Sequence, residues 1–414
     1  MALEHALRVR KPANSFVQNE MNISIIFNYL RKHGSSYRAQ ISRDLSISAP
    51  AVSRAIEKLK ELGYVVESEP MRTSNGKKAV KVSINVDKGF VLGIDVLKEN
   101  LRIAAFDYRG SMVASTRGMH MAASDDVPRD LVREIETFLS GMGTHTGAAL
   151  KAICVGVPAV VEAETSQLSS AILFPNLTGI NLKEILTRRF NVPVFVENDV
   201  HLSALAENQF GQGRMHKDLV FLEVSAGIGA GIIIDNNVVA GHSGASGELG
   251  YMALDRSDLG WGGRTKGPLE QRASTDAIRD AAVAAMRDGT RTLISDRVKG
   301  EEEGVTPSIV AECALEGDPL AVKIFDDLVA RLSLAVINLA IIIDPEVIVF
   351  GGDICSLPGF TTLLLEPIRS NVNASLPFTP PEITVSSVAE DAGVIGAAYF
   401  AIESLLLRQY PYRI

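Results

Sequence analysis

The chain has 414 residues, 46% of them hydrophobic, and a formal net charge of −8, which is length enough for two or three buried cores. It holds no uninterrupted run of about 18 apolar residues and no signal-peptide pattern, which argues against a membrane span or export and leads us to expect a cytoplasmic protein. The charge is split: residues 1–85 carry 14 Lys+Arg against 7 Asp+Glu and the other 329 carry 27 against 42, so a +7 segment precedes a −15 body, as in a chain that meets a polyanion at one end.

Within the basic segment, Ile23, Ile26, Phe27 and Leu30 follow the i, i+3, i+4, i+7 spacing of one helical face over residues 19–33. A shorter helix over 37–45 turns Ile41 and Leu45 inward. After Ser46-Ile47-Ser48, a third helix over 49–62 buries Val52, Ile56, Leu59 and Leu62. Ser48 is placed to cap it, Pro50 is tolerated in the first turn, and Gly63 stops it. Two short helices joined by a tight turn form a helix-turn-helix, whose second helix enters the DNA major groove. Its outer side offers Ser48, Ala49, Ala51, Ser53, Arg54 and Lys58. Small residues there let the backbone approach DNA, and Arg54 reaches base edges or phosphate. Residues 65–69 and 79–84 read as strands, and the turn between them contains Arg72, Ser74, Asn75, Gly76, Lys77 and Lys78, a basic wing. The alternative is a small helical domain with a solvated charged loop. Helix order, turn, wing and charge together favour double-stranded DNA as the partner.

Beyond residue 90, strands alternate with helices. Strands are expected at 90–96, 101–106, 111–114, 152–157, 193–196, 219–224, 229–234, 238–239 and 347–350, with helices near 131–139, 320–342 and 394–407. Two β-β-β-α-β halves imply two α/β lobes with a cleft between them. Cys154, Cys313 and Cys355 are far apart and form neither a disulfide framework nor a C-x-x-C metal spacing.

Several motifs resemble the ROK family, which joins repressors, open reading frames and kinases. They are Glu197-Asn198-Asp199, Gly227-Ile228-Gly229-Ala230-Gly231, residues 244–250 (GASGELG) and Gly351-Gly352. The resemblance covers nearly the whole chain. It implies an α/β fold in which a winged helix-turn-helix at 1–85 precedes a two-lobed actin-like (ribonuclease H-like) body. Lobe 1 would be 86–207, with a C-terminal helix in 389–414 returning to it, and lobe 2 would be 208–388. It further implies a sugar in the cleft: Asp199 matches the kinases' catalytic base, while Asn198, Glu248 and Glu270 match sugar-hydroxyl partners. For Asn198-Asp199 helix capping is the alternative, and for Glu248 surface charge.

Departures from the family pattern separate kinase from repressor. The kinases' D-x-G-x-T turn is here Asp95-Val96-Leu97-Lys98-Glu99-Asn100, with Leu97 at the glycine position and Glu99 adding negative charge where a triphosphate would sit. The glycine-rich turn 225–231 could cradle an anion or could serve packing alone. Tyr251 replaces the family's zinc-binding histidine. Trp261-Gly262-Gly263-Arg264-Thr265-Lys266-Gly267-Pro268 stands where its cysteines would lie. Tyr251 can still donate a hydrogen bond to a ligand, Trp261 and Arg264 are cleft candidates, and His242 reads as a loop histidine. No metal, no cofactor and no catalysis are therefore expected. The expected protein is a DNA-binding regulator, a repressor of carbohydrate-utilisation genes. Its effector would be a sugar or sugar derivative, and it would act on operator DNA as a homodimer or dimer of dimers. The alternative is an ATP-dependent sugar kinase with a fused DNA-binding domain.

Overall fold

The computed structural model describes residues 15–69, 71–72, 78–97, 100–118, 120–121, 124–142, 149–162, 165–169, 171, 174–261 and 266–406. The wing residues Ser74, Asn75 and Lys77, and also Lys98, Glu99 and Arg264, lie outside the described residues.

The N-terminal module runs α1 (Ser15–His33), β1 (Ser36–Tyr37), α2 (Arg38–Leu45), α3 (Ala49–Glu61), β2 (Val65–Glu67), β3 (Met71–Arg72), β4 (Lys78–Ala79) and β5 (Lys81–Ile84). Strands β1, β5 and β2 form an antiparallel sheet, and β3 pairs with β4 so that Arg72 lies opposite Lys78. The arrangement is a winged helix-turn-helix. Its core is the predicted apolar stripe: Ile23, Ile26, Phe27 and Leu30 of α1, Ile41 of α2, and Val52, Ile56 and Leu59 of α3 are buried. Ser46, at φ 55°, ends α2 in the left-handed region, and the Ser42 hydroxyl donates to the Ile47 carbonyl at 2.7 Å to hold the turn.

Three local expectations are corrected. Leu62 is 42% exposed, because α3 ends at Glu61 and the chain turns out there. Ala51 is buried, not groove-facing: it stands one turn from Ala55 on the inner stripe. Ser48 precedes α3, but its hydroxyl makes no capping hydrogen bond.

The first lobe contains β6 (Phe90–Val96), β7 (Leu101–Asp107), β8 (Met112–Arg117), α4 (Val127–Gly141), β9 (Leu150–Val157), β10 (Val160–Val161), β11 (Leu168–Ser169), α5 (Leu182–Phe190), β12 (Val194–Asn198) and α6 (Asp199–Phe210). The second contains β13 (Leu219–Val224), β14 (Ile228–Ile234), β15 (Asn237–Val238), α7 (Pro268–Ala273), α8 (Thr275–Arg287), α9 (Leu293–Arg297), α10 (Pro307–Leu315), α11 (Pro319–Ile343), β16 (Val347–Gly351), α12 (Glu366–Ser375) and β17 (Glu382–Val385). The sheets are ordered β12-β9-β6-β7-β8 and β15-β14-β13-β16-β17. In each, an antiparallel three-strand meander is extended by two parallel strands. The same topology occurs twice.

The last helix, α13 (Ala392–Leu406), packs on the first lobe against β6 and α6. Gly93 of β6 makes this possible, since a Cβ there would lie 2.1 Å from the Val394 carbonyl oxygen. One hydrophobic core fills the second lobe and another lies under α4 and α5. A third runs unbroken from the winged module through Val91, Ala104, Phe106 and Tyr108 to α13. Phe27, Tyr64 and Tyr108 meet edge to face along it, with centroids 6.0 and 5.1 Å apart. Module and body therefore share their apolar interior. Cys154 and Cys313 are buried and Cys355 is half-buried, as small core-lining residues. No helix among the described residues is long and apolar enough to cross a membrane.

Candidate functional site

β12 ends at Asn198 and α6 starts at Asp199, so both side chains stand at a strand-to-helix junction. Asn198 Oδ1 accepts the His201 backbone N–H at 3.1 Å and Nδ2 donates to the Ala159 carbonyl at 3.3 Å. The capping alternative therefore describes this side chain as it stands. One amide N–H and one lone pair remain for a ligand. Asp199 is buried, and burial together with the neighbouring Glu248 charge raises its carboxyl to about 6. Its Oδ1 accepts the Val200 N–H at 2.9 Å.

The loop bearing Glu248 is tied to the same helix. His201 Nε2 lies 3.0 Å from the Ser246 carbonyl oxygen, and burial holds this imidazole below its ordinary range, so the neutral ring donates from Nε2. Gly247, at φ +82°, lets the loop press on β14, since a Cβ there would lie 1.7 Å from the Ala230 oxygen. Burial raises the carboxyl of Glu248 and that of Glu270 on α7, and Glu270 also feels the Glu248 charge. Asp199, Glu248 and Glu270 thus converge from three elements, and Glu248 is more than surface charge. Tyr251 closes the 3-10 turn Leu249–Tyr251 and is 40% exposed, at the rim relative to the buried acids.

Sequence reasoning missed His201, Glu223 and the depth of Asp95. Asp95 on β6 is buried, and burial, then the Asp199 charge, lifts it to about 7. Glu223 on β13 is raised by burial and by Asp199, Asp95 and Asp353. Arg102, directly across from Asp95 on β7, acts on both in the opposite sense. The signal was present: one carboxylate stands inside each of the otherwise apolar strands FVLGIDV and LVFLEV.

The phosphate elements of the kinases fare differently. The β6–β7 turn closes by a Leu97 N–H to Asn100 carbonyl bond of 3.1 Å. The glycine-rich turn is engaged through its oxygens. The Ser225 carbonyl accepts the Thr275 N–H at 2.9 Å, the Ser225 hydroxyl accepts the Asp353 N–H at 2.9 Å, and the Ala226 carbonyl accepts Lys266 Nζ at 3.1 Å. Lys266 also pairs with Asp276 at 2.8 Å, and its carbonyl receives Trp261 Nε1 at 2.6 Å. Trp261 and Lys266, two of the residues that stand where the family's cysteines would lie, are thus bonded to each other. His242 is exposed on its loop.

On the winged module, Ser48, Ala49, Arg54 and Lys58 are exposed and Ser53 is partly so. Arg54 makes no ion pair with a described residue, and Lys58 has only the exposed Glu61 at 3.4 Å, a weak partner. Two other cations of the region are committed. Arg38 pairs with Glu57 at 2.5 Å and Glu67 at 2.6 Å, and Lys60 with Glu67 at 2.5 Å, which fixes α3 against the wing sheet. Arg72 and Lys78 are register partners in the β3–β4 pair.

Known proteins bear on this geometry. The xylose repressor of Caldicellulosiruptor bescii is 27% identical over 402 residues, covering 95% of this chain and 98% of the repressor. The glucokinase of Thermotoga maritima is 30% identical over 279 residues, 65% of this chain and 84% of the kinase. The crystal structure of a ROK family transcriptional regulator, a homologue of the E. coli MLC protein, superposes with a TM-score of 0.79 at 25% identity, covering 94% and 97% of the two chains. A Streptomyces griseus ROK glucokinase in complex with glucose and AMPPNP gives a TM-score of 0.62 at 25% identity, covering 76% of this chain and 99% of the kinase. The two-lobed body is thus actin-like. With residues 91–404 matching the family's sequence pattern, the chain belongs to the ROK family.

Proposed function

We propose that this chain is a sugar-responsive transcriptional repressor of carbohydrate-utilisation genes, acting in the cytoplasm. Its winged module binds double-stranded operator DNA and its cleft binds the effector. The supporting observation is the continuity between the two: the winged module shares a hydrophobic core with the lobe carrying Asn198 and Asp199. The Caldicellulosiruptor bescii xylose repressor matches over 98% of its length, so a pentose is the first effector to try. Ser48, Ala49, Ser53, Arg54 and Lys58 form the reading side of α3, and Arg72 and Lys78 support the wing. Asn198, Asp199, Glu248 and Glu270 form the effector shell, with Tyr251 at its rim. Hydroxyls entering such a shell exchange water for fixed acceptors and donors.

Palindromic operators require two recognition helices a helical turn apart, so the active species is a homodimer or a dimer of dimers. Effector binding favours one inter-lobe angle, which alters the disposition of the two winged modules. By linkage, operator DNA weakens effector binding by the same factor. Fluorescence anisotropy with duplexes from the promoters flanking the gene, with and without D-xylose or D-glucose, tests this. The expected result is salt-sensitive binding that sugar weakens. Binding no tighter than to random duplex, or indifferent to the sugars, would overturn it.

A second reading, an active sugar kinase, is favoured by the glycine-rich turn and by Asp199, a buried carboxyl near 6 placed to take a hydroxyl proton. ATP consumption on a hexose and pentose panel, abolished by Asp199→Asn, would establish that reading and displace the non-catalytic one.

A further inference from the structure

The winged module rests on the point where the two lobes are joined. The chain crosses between lobes twice, after α6 and before α13. Glu207 of α6, fully buried, grips both crossings: Oε2 accepts the Gln212 N–H at 2.9 Å, and Oε1 accepts the Val388 N–H at 3.2 Å and the Ser386 hydroxyl. One carboxylate thus pins the segments that must bend when the lobes close.

The two helices that adjoin these crossings meet α1, α6 at its last residue and α13 at its middle. Phe210, the last residue of α6, and Tyr399 of α13 lie edge to face with centroids 5.9 Å apart. The Arg31 guanidinium, in the last turn of α1, stands 4.1 Å from the Tyr399 centroid and 5.8 Å from that of Phe210. One turn and more back along α1, Ser24 donates to Glu403 Oε2 at 2.8 Å. The seam is nevertheless incompletely satisfied. Arg31 Nη1, Asn28 Oδ1 and Glu403 Oε1 are buried and find no hydrogen-bond partner among the described residues. Buried polar atoms left unpaired in a packed seam are costly. The contact of α1 with α13 is therefore held by the Arg31 stack and the Ser24–Glu403 bond more than by a complete set of hydrogen bonds.

We infer that Arg31 is the positioning residue through which movement at the inter-lobe crossings reaches the DNA-binding module. It touches neither operator nor effector; it seats α1 on the two rings that flank the hinge. The inference rests on the proposed function for its biological meaning, but its mechanical content stands apart from it.

The test is hydrogen–deuterium exchange on the full-length protein, without sugar or DNA, comparing wild type with Arg31→Met and Arg31→Lys. Met keeps the apolar stem and removes the cation. The expected result for Arg31→Met is several-fold faster exchange both in the last two turns of α1 and at residues 386–391, with Arg31→Lys near wild type. Acceleration confined to α1, or wild-type exchange throughout, would overturn the inference. Should Arg31→Met fail to fold, Tyr399→Leu removes the ring from the other side and is read by the same criterion. A second arm measures operator affinity with and without D-xylose. A wild type indifferent to D-xylose counts against the proposed effector while leaving the exchange result to decide on Arg31. If the wild type responds, Arg31→Met should bring the ratio of the two affinities close to one.

Discussion

The acid cluster of the cleft makes a signed prediction about pH. Asp95 is raised from 3.8 to about 7, chiefly by burial and then by Asp199. An unfolded chain releases that proton near pH 4 and the folded one holds it to neutrality. Asp95 therefore imposes no penalty below pH 4 and a growing one as the pH rises through 7. Most of that rise is felt between pH 5 and pH 8, and at about 1.4 kcal/mol per tenfold change in proton binding the loss is on the order of 3 kcal/mol. At ~2 cal/mol/K per residue, a chain of this size changes its melting temperature by about 3 °C for that difference. Asp95→Asn keeps the shape and removes the titration. Melting wild type and variant at pH 5 and pH 8 by differential scanning calorimetry should show the wild type losing about 3 °C more than the variant across the interval. The remaining cleft acids have the same sign but occur in both proteins and largely cancel. Parallel melting temperatures at the two pH values, or a deficit of Asp95→Asn that widens at pH 8, would refute the reasoning.

Three other outcomes are expected. Arg54→Ala should weaken operator binding by about 1–3 kcal/mol if Arg54 reads a base, relaxing specificity at one position, or lower the salt slope by about one if it holds a phosphate; salt-dependent anisotropy distinguishes the two. Glu248→Gln and Asp199→Asn should each weaken sugar binding by about 1–3 kcal/mol through lost charge-assisted hydrogen bonds, read by titration calorimetry with D-xylose, while operator affinity without sugar stays within twofold. His201→Leu removes the bond to the Ser246 carbonyl and should cost about 1 kcal/mol or more at pH 8, with faster exchange in the 244–250 loop; because burial keeps the folded ring neutral while an unfolded chain protonates it, the wild type gives up stability at pH 6 that the variant does not, and the deficit should be smaller at pH 6 than at pH 8.

The winged module was legible because its signals are local. Apolar spacing in α1 and α3, the Gly63 stop and the alternating strand at 81–84 each depend on neighbours within a few residues. The errors there are also local: a boundary one residue short exposes Leu62, and an alanine small enough for either side of α3 proved to be inside. The cleft was legible only in part. Asn198, Asp199, Glu248 and Glu270 could be named from motif resemblance, but periodicity does not reveal that they converge. Convergence depends on β12, a glycine-bound loop and α7 meeting across sequence separations of roughly 20 to 70 residues. His201 went unseen because a histidine on a helix has no partner in the sequence; its partner is a carbonyl 45 residues away. The shared core between module and lobe was equally hidden. Nothing in the local spacing marks Tyr64 and Tyr108 as partners, yet their rings are in contact across the boundary.

The electrostatics of the cleft explain how a kinase framework can serve a sensor. Asp95, Asp199, Glu223, Glu248 and Glu270 are all raised by burial, with Arg102 the cation that opposes the rise at Asp95 and Glu223. The glycine-rich turn has its carbonyls tied to Thr275 and Lys266, and the carboxyls suit an uncharged polyol. A carboxyl near neutrality can accept a hydroxyl proton when ionised or donate one when protonated, so the shell can match several hydroxyls without fixing a net charge. In the non-catalytic reading proposed above, binding energy from those hydrogen bonds is available to close the lobes. The same acidic body repels the DNA backbone, which leaves the basic winged module as the surface that makes contact.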